Sequence, residues 1–264
     1  MKLLGLAFLF IGLLLACQEK SQGVPHKTEE RFLLIVAHPD DETTIGPVLA
    51  KYAKDHPVHL IIATQGDLGV TEHAGIPAGD SLVQVRKKEA ICSCEKLNIH
   101  PPIFLGLKDQ LEMKDIGKYY GQLDLLKTLI QKEIDRIKPT KILTFGPDGD
   151  TGHPDHRMVG IITTEVYLRE GLSREVDLYY YGWTKKQAAK YWDWNLNYLA
   201  DEEFNYKISF SEAEEQQALE SIACYKSQYS QEEIDRWIKV EKEDPENVLF
   251  FRKFHTEYEL QTEL

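Results

Sequence analysis

The chain has 264 residues, with 42% hydrophobic and 28% charged residues and a formal net charge of −12. That length and apolar content suffice for one substantial core, or a core with a small appendage, and exclude disorder on a large scale. The acidic balance, with no stripe of clustered Lys and Arg, excludes a nucleic-acid backbone as partner.

Met1-Lys2 opens the chain and an apolar run from Leu3 to Ala16 follows, too brief to span a bilayer comfortably. Residues 1–16 therefore read as an export signal. The run ends in Leu14-Leu15-Ala16-Cys17, which resembles the bacterial lipobox. That resemblance implies cleavage before Cys17, lipid attachment to its thiol, and an exported lipoprotein anchored to a membrane in the periplasm or at the cell surface. A plain signal peptide, or an anchor with an incidental cysteine, is the alternative. Residues 17–30 form a polar tether and 31–264 the folded domain, of which 171–264 is an extension.

Phe32-Leu33-Leu34-Ile35-Val36 is too short for a helix and rich in branched residues, so it reads as a buried strand. His38-Pro39-Asp40-Asp41-Glu42 follows it directly. Thr43 to Asp55 has helical spacing, with Pro47 tolerated in the first turn. Strand Pro57–Thr64, a glycine-containing loop from Gly66 to Asp80, helix Ser81–Leu97 and strand Ile103–Leu107 come next. Helix Tyr119–Ile137 ends before Pro139, and strand Lys141–Phe145 leads to Pro147-Asp148-Gly149-Asp150 and His153-Pro154-Asp155-His156, with a helix starting near Pro154. This alternation predicts an α/β, Rossmann-like, mainly parallel sheet with helices on both faces.

Beyond it lies a C-terminal α+β extension: strands at Val176–Trp183 and Val248–Phe251, and helices at Ser211–Tyr229 and Gln231–Val240. Ser211 followed by Glu212 and Glu214 reads as an N-cap with early acids. The aromatic cluster Trp183, Tyr191, Trp192, Trp194 and Tyr198 either packs the extension or lines a sugar site. If Cys17 carries lipid, Cys92, Cys94 and Cys224 remain. Two residues apart on a helix, Cys92 and Cys94 face different sides, so they neither bridge each other nor build a cysteine zinc site; both read as small apolar fillers.

Two strand ends thus carry histidine and aspartate, and ligands gather beyond the carboxyl ends of strands in an open parallel sheet. A catalytic zinc takes three histidine or carboxylate ligands and keeps one position for water, a set that His38, Asp41 and His156 can supply. Asp40 is then spare and, if its side chain points away from that of Asp41 in an extended turn, can take a proton from the attacking water. His153, one turn before His156, can steady an oxyanion or protonate a leaving amine. A lone His-Pro-Asp is ordinary turn chemistry, but two tetrads at strand ends point to one site.

Ala37-His38-Pro39-Asp40-Asp41-Glu42 and His153-Pro154-Asp155-His156 resemble the two signature motifs of the PIG-L, or LmbE-like, family of metal-dependent N-acetylglucosaminyl de-N-acetylases. The resemblance runs from about Phe32 to the end of the helix after His156. It implies that His38, Asp41 and His156 bind a divalent metal, usually zinc, that Asp40 is the general base, and that His153 serves the oxyanion or acid step with Asp155 orienting it. Gly66-Asp67-Leu68-Gly69 and Arg86-Lys87-Lys88-Glu89 match a glycine-acid loop and an Arg-x-x-Glu helix, which implies that Arg86 meets the substrate; otherwise it is a surface charge pairing with Glu89. Many members carry a histidine where Tyr225 stands before Ser227-Gln228. The expected activity is removal of acetyl from an N-acetylated amino sugar or glycan. The alternatives are a metal-dependent hydrolase of another amide or ester, and a non-catalytic glycan-binding lipoprotein.

Overall fold

The computed structural model describes residues 29–191 and 194–254. The expected export signal, Cys17, nearly all of the tether and Trp192 lie outside the described residues. Among those described, no helix is long and apolar enough to cross a membrane.

One eight-stranded sheet organises the chain: β1 (Phe32–Val36), β2 (Val58–Thr64), β3 (Ile103–Leu107), β4 (Lys141–Phe145), β5 (Asp177–Thr184), β6 (Tyr198–Leu199), β7 (Tyr206–Ser209) and β8 (Val248–Lys253). Its spatial order is β3-β2-β1-β4-β5-β8-β7, with β6 beside β5. The strands from β3 across to β5 are parallel, whereas β8 runs antiparallel to both β5 and β7. Strand order reverses between β1 and β4. Such a switch point opens a crevice beyond the carboxyl ends of those two strands.

Helices α1 (Gly46–Tyr52), α2 (Asp80–Leu97) and α6 (Glu212–Ile222) pack together, while α3 (Ile116–Ile137) pairs with α4 (Pro154–Arg169), which also lies against β1 and β4. Helices α5 (Lys185–Ala188) and α7 (Gln231–Glu243) complete the C-terminal part. Every residue of β1 is buried, as expected of a strand covered on both faces. The C-terminal part is continuous with the rest, because β8 and β7 extend the same sheet and α6 packs on α1 and α2.

Close approach of α4 to β4 depends on Gly160, where a Cβ would lie 2.4 Å from the Phe145 carbonyl oxygen. His156 stands one helical turn earlier, so this contact also sets how deep its ring reaches. The helix expected over Thr43–Asp55 divides into a 3-10 turn, Asp41–Ile45, and α1, with Pro47 in the opening turn of the latter. The single helix expected over Ser211–Tyr229 stops at Ile222, since the Ser227 N–H leaves the helical path to meet Glu89 Oε1 at 2.8 Å. Capping boxes open both late helices: Ser211 with Glu214, and Ser230 with Glu233.

Cys92 is not a filler. It is bridged to Cys224, 132 residues away, and joins α2 to the turn after α6; among the described residues Cys94 alone is free, and it is buried. The two cysteines two apart do face different sides, and the pairing with Cys224 follows from helix packing that spacing does not encode. Closing so long a loop constrains the unfolded chain. The Cys92→Ser, Cys224→Ser double variant is expected to lose about 2–4 kcal/mol in denaturant unfolding. A reductant should bring the wild type to the same midpoint while leaving the variant's midpoint in place.

Candidate metal and active site

His38 and Asp41 follow β1, and Asp150, His153 and His156 follow β4, so all five meet in the β1–β4 crevice. His38 Nδ1 lies 3.2 Å from His156 Nε2, which lies 3.1 Å from Asp41 Oδ1, and His38 Nδ1 is 3.7 Å from Asp41 Oδ2. Ligand atoms around a tetrahedral zinc stand about 3.3 Å apart, given bonds of about 2.0–2.1 Å. A ring nitrogen of His153 also comes within 4.8 Å of those of His38 and His156.

Hydrogen-bond partners orient the two rings. His156 Nδ1 donates to the Gly149 carbonyl at 3.1 Å, leaving Nε2 as the nitrogen toward the crevice. His38 Nε2 donates to Asp155 Oδ2 at 3.1 Å, leaving Nδ1 in the same way. Asp41 Oδ2 accepts the backbone N–H groups of Ala37 and His38 at 3.0 and 2.7 Å, so Oδ1 is its outward oxygen. Phe145 stacks on the His156 ring with centroids 4.2 Å apart.

Asp155 therefore orients His38, not His153 as the family resemblance implied. Its Oδ2 is 4.0 Å from His153 Nδ1, which instead accepts the Asp155 backbone N–H at 3.1 Å. Asp155 also accepts the Gln110 N–H at 2.7 Å and is fully buried. His153 caps α4, remains 41% exposed in its side chain and lines the crevice, with Nε2 as its protonated nitrogen.

Asp40 and Asp41 point apart because the backbone at Asp40 is left-handed, with φ 114°, and not through an extended turn. A non-glycine residue held there costs on the order of 1–3 kcal/mol and persists only when its surroundings over-determine it. Here Thr43 N–H and Oγ1 both donate to the Asp40 carbonyl, at 3.0 and 2.6 Å, and the Asp40 N–H donates to Glu42 Oε2 at 3.2 Å. Glu42 is itself fully buried, and its Oε1 accepts both the Ser93 and Tyr225 hydroxyls at 2.5 Å. Ser93 and Tyr225 adjoin the two bridged cysteines, so the disulfide ties together the struts beneath Asp40.

Arg86 is buried, not a surface partner of Glu89. Its Nη2 donates to Asp40 Oδ2 at 3.0 Å and to the Pro39 carbonyl, and Nη1 reaches the Gly66 carbonyl at 3.4 Å. Glycines 66 and 69 make room for it: a Cβ at either would lie 2.5 or 2.4 Å from Nη1. The guanidinium reaches the cavity wall; Nη1 and Nη2 serve Asp40 and the two carbonyls, and its buried Nε has no hydrogen-bond partner. Glu89 binds Ser227 instead.

Charge in the crevice is lopsided. Burial pushes Asp40 up to about 7 against the pull of Arg86, with Asp41 adding to the rise. Burial also pushes Asp150 up to about 6 against the indole hydrogen bond of Trp183 and the charge of His156. Burial would raise Asp41 too, but the charge of His156 and hydrogen bonds from His156 and His38 hold it well below the usual carboxylate range. The same carboxylates raise His38 to about 10 although burial opposes it, through hydrogen bonds to Asp155 and then Asp41. For His153, burial first and then the charges of His38 and His156 favour the neutral ring. His38 and His156 hold a second proton because carboxylates face them; a divalent cation would displace those two protons, and the two ring nitrogens, one outward carboxylate oxygen and surplus negative charge suit it.

Sequence reasoning overlooked Asp109 and Asp150. Asp109 Oδ1 and Oδ2 accept the Gly66 and Leu68 N–H groups at 2.8 and 2.9 Å, which fastens the glycine loop to the end of β3. Both follow the carboxyl ends of strands in the order β3 and β4, the position that should have flagged them. Tyr229, whose hydroxyl is 3.5 Å from Asp40 Oδ2, and Trp237 had no such signal.

The crevice opens into a cavity of about 300 Å3. It is lined by the histidines and carboxylates and by Trp183, Tyr191, Trp194, Tyr229 and Trp237, of which Trp183 and Tyr229 touch Asp150 and Asp40. Of the aromatic residues grouped in the sequence, Trp183, Tyr191 and Trp194 reach the cavity, while Tyr198 is exposed beside Lys185.

With this geometry in place, comparison with known proteins is decisive on kinship. Residues 33–167 match the family model described as PIG-L: GlcNAc-PI de-N-acetylase. The chain belongs to the PIG-L family. It is 35% identical over 138 residues to the probable N-acetyl-alpha-D-glucosaminyl L-malate deacetylase 2 of Bacillus subtilis, covering 50% of this chain and 58% of the relative. It is 32% identical over 182 residues to the 1D-myo-inositol 2-acetamido-2-deoxy-alpha-D-glucopyranoside deacetylase of Rhodococcus jostii, covering 62% and 61%. The matches thus span about three fifths of these relatives. In fold it resembles the N,N'-diacetylchitobiose deacetylase of Pyrococcus horikoshii, with a TM-score of 0.61 at 20% identity over 87% of this chain and 85% of that one.

Arg86→Lys keeps the charge but loses the planar fork that reaches Asp40 and two carbonyls at once. Turnover is expected to fall by at least about tenfold, as a loss of more than about 1.4 kcal/mol in positioning would give. Metal content by elemental analysis should stay at the wild-type level.

Proposed function

We propose that this PIG-L protein is a divalent-metal-dependent de-N-acetylase, a hydrolase that releases acetate from an N-acetylated amino sugar, with zinc as the natural ion. The observation that carries the proposal is the convergence of His38 Nδ1, His156 Nε2 and Asp41 Oδ1 within one crevice, with Asp40 beside them and bound to none of them. A structural site would close its fourth position with protein and have no use for a spare base. The names of the two bacterial relatives add that an N-acetylglucosamine-type acetamide is the right class of substrate.

His38, Asp41 and His156 would hold the ion, and Asp155 and the Gly149 carbonyl fix the two rings. When bound, such an ion supplies Lewis acidity to water and to the acetamide carbonyl. The remaining work belongs to side chains. Asp40 accepts the proton of the water that attacks the acetyl carbon, and a carboxyl whose burial places it near neutrality suits that task. Arg86 keeps Oδ2 of Asp40 in place. His153, whose Nδ1 is engaged by the Asp155 N–H, has its Nε2 proton to give to the developing oxyanion or to the leaving amine nitrogen. The C–N bond breaks, and acetate and the free amino sugar result.

Asp40→Asn is expected to cut acetate release by about 10²-fold or more, the range for loss of a general base, with metal retained. His156→Ala should instead lose the metal in elemental analysis after dialysis. Undiminished turnover by Asp40→Asn would sink the mechanism.

We further infer an exported, lipid-anchored protein. Supporting this are the Leu14-Leu15-Ala16-Cys17 sequence and the Cys92–Cys224 bridge, a bond that persists in oxidising compartments. Labelled fatty acid fed to producing bacteria should be incorporated by the wild type and not by Cys17→Ala; equal labelling of both would refute the anchor.

A further inference from the structure

Part of the cavity lining is a wall of rings, joined to the carboxylates through Trp183 and Tyr229. Trp194 and Trp237 meet edge to face with centroids 4.8 Å apart, Tyr229 lies 5.5 and 5.8 Å from them, and Tyr191 lies 5.9 Å from Trp237. Trp183 and Tyr191 are nearly fully buried, whereas Trp194, Tyr229 and Trp237 are half-buried and keep surface toward the cavity. Among the described residues that line this cavity, Arg86 is the one permanent cation; Asp40 already pairs with its Nη2, Nη1 reaches the Gly66 carbonyl, and its Nε, without a partner, is buried away from the cavity surface. The other charged residues lining it are carboxylates, at Asp40, Asp41, Asp109 and Asp150.

Building on the deacetylase reading above, we propose that the substrate is a neutral N-acetylglucosaminide whose anomeric substituent presents a flat apolar face, such as a second pyranose or an aryl ring. The acetamide meets the histidines and carboxylates, and the substituent stacks on Trp194 and Trp237. Apolar C–H faces of a pyranose, and aryl rings, gain both buried area and ring contact there. An anionic substituent would lose its hydration against rings, beside four carboxylates whose charge exceeds that of Arg86 and one divalent ion together. Selectivity thus has an attractive part in the wall and a repulsive part in the charge.

The test uses the zinc-loaded protein with phenyl, methyl and carboxymethyl N-acetylglucosaminides and the disaccharide of two N-acetylglucosamines. Acetate release should give a kcat/KM at least about tenfold higher for the phenyl glycoside and the disaccharide than for the carboxymethyl glycoside, a difference of about 1.4 kcal/mol. In Trp194→Ala and Trp237→Ala that ratio should collapse toward one through a rise in KM for the ring-bearing substrates, with Trp194→Phe restoring most of it. A carboxymethyl glycoside that matches or exceeds the phenyl one, or a ratio indifferent to both tryptophans, overturns the proposal. Binding is read separately by quenching of tryptophan fluorescence. If nothing releases acetate, the deacetylase reading fails alone, and quenching by the phenyl glycoside but not the carboxymethyl one still upholds the wall.

Discussion

Asp41 is a buried carboxylate that must satisfy three groups at once, and the site is arranged around that demand. One oxygen takes the N–H groups of Ala37 and His38, which fixes the backbone as it leaves β1. The other faces His156 on the neighbouring side of the crevice. Burying a charge in this way costs several kcal/mol unless it is fully paired. With Asp155 and Asp150 close by, the negative charge exceeds what Arg86 supplies, and the two imidazoles become the groups on which the imbalance falls. A divalent ion between them would relieve it, so the electrostatics of the crevice and its donor geometry favour the same occupant.

Asp40 illustrates how strain is maintained. Its left-handed backbone would relax in isolation, but Thr43 and Glu42 each hold one of its peptide groups. Glu42 is held in turn by hydroxyls from α2 and from the turn after α6, two segments stapled by Cys92–Cys224. Tyr225 stands where the family resemblance implies a histidine, and its phenol serves the Glu42 carboxylate beneath Asp40 instead of lining the cavity. A long-range covalent link thus bears on the angle of one catalytic side chain, through two hydrogen bonds and a buried acid.

Much of this was legible in the residues. Branched strand runs, Pro47 and Pro154 at helix starts, and histidine–aspartate tetrads at strand ends specify the parallel sheet and its crevice, because each is a local signal with a mechanism. What stayed hidden was non-local. Cys92 pairs with a cysteine 132 positions away, and α6 ends early because Ser227 is drawn to Glu89. Asp155 serves His38 and not its neighbour His153, since the turn geometry hands His153 a backbone N–H instead. The alternative that Arg86 is a surface charge paired with Glu89 fails because helical spacing says nothing about the two glycines that let it in.

The division of labour along the chain explains why the kind of reaction is easier to read than the substrate. His38, Asp40, Asp41, Arg86, His153, Asp155 and His156 all fall within residues 33–167, the stretch matched by the family model. Trp183, Tyr191, Trp194, Tyr229 and Trp237 all fall after it, on β5, on the segment that follows it, and near or on α7. Because β8 pairs with β5 and α6 packs on α1 and α2, this later part is rigidly joined to the sheet that carries the acids and histidines. The stretch that matches the family model carries the histidines and acids, and the ring wall comes from outside it, so the family match bears on the crevice and not on the wall. If the proposed ring stacking holds, selectivity should follow substitutions far in sequence from the histidines and acids.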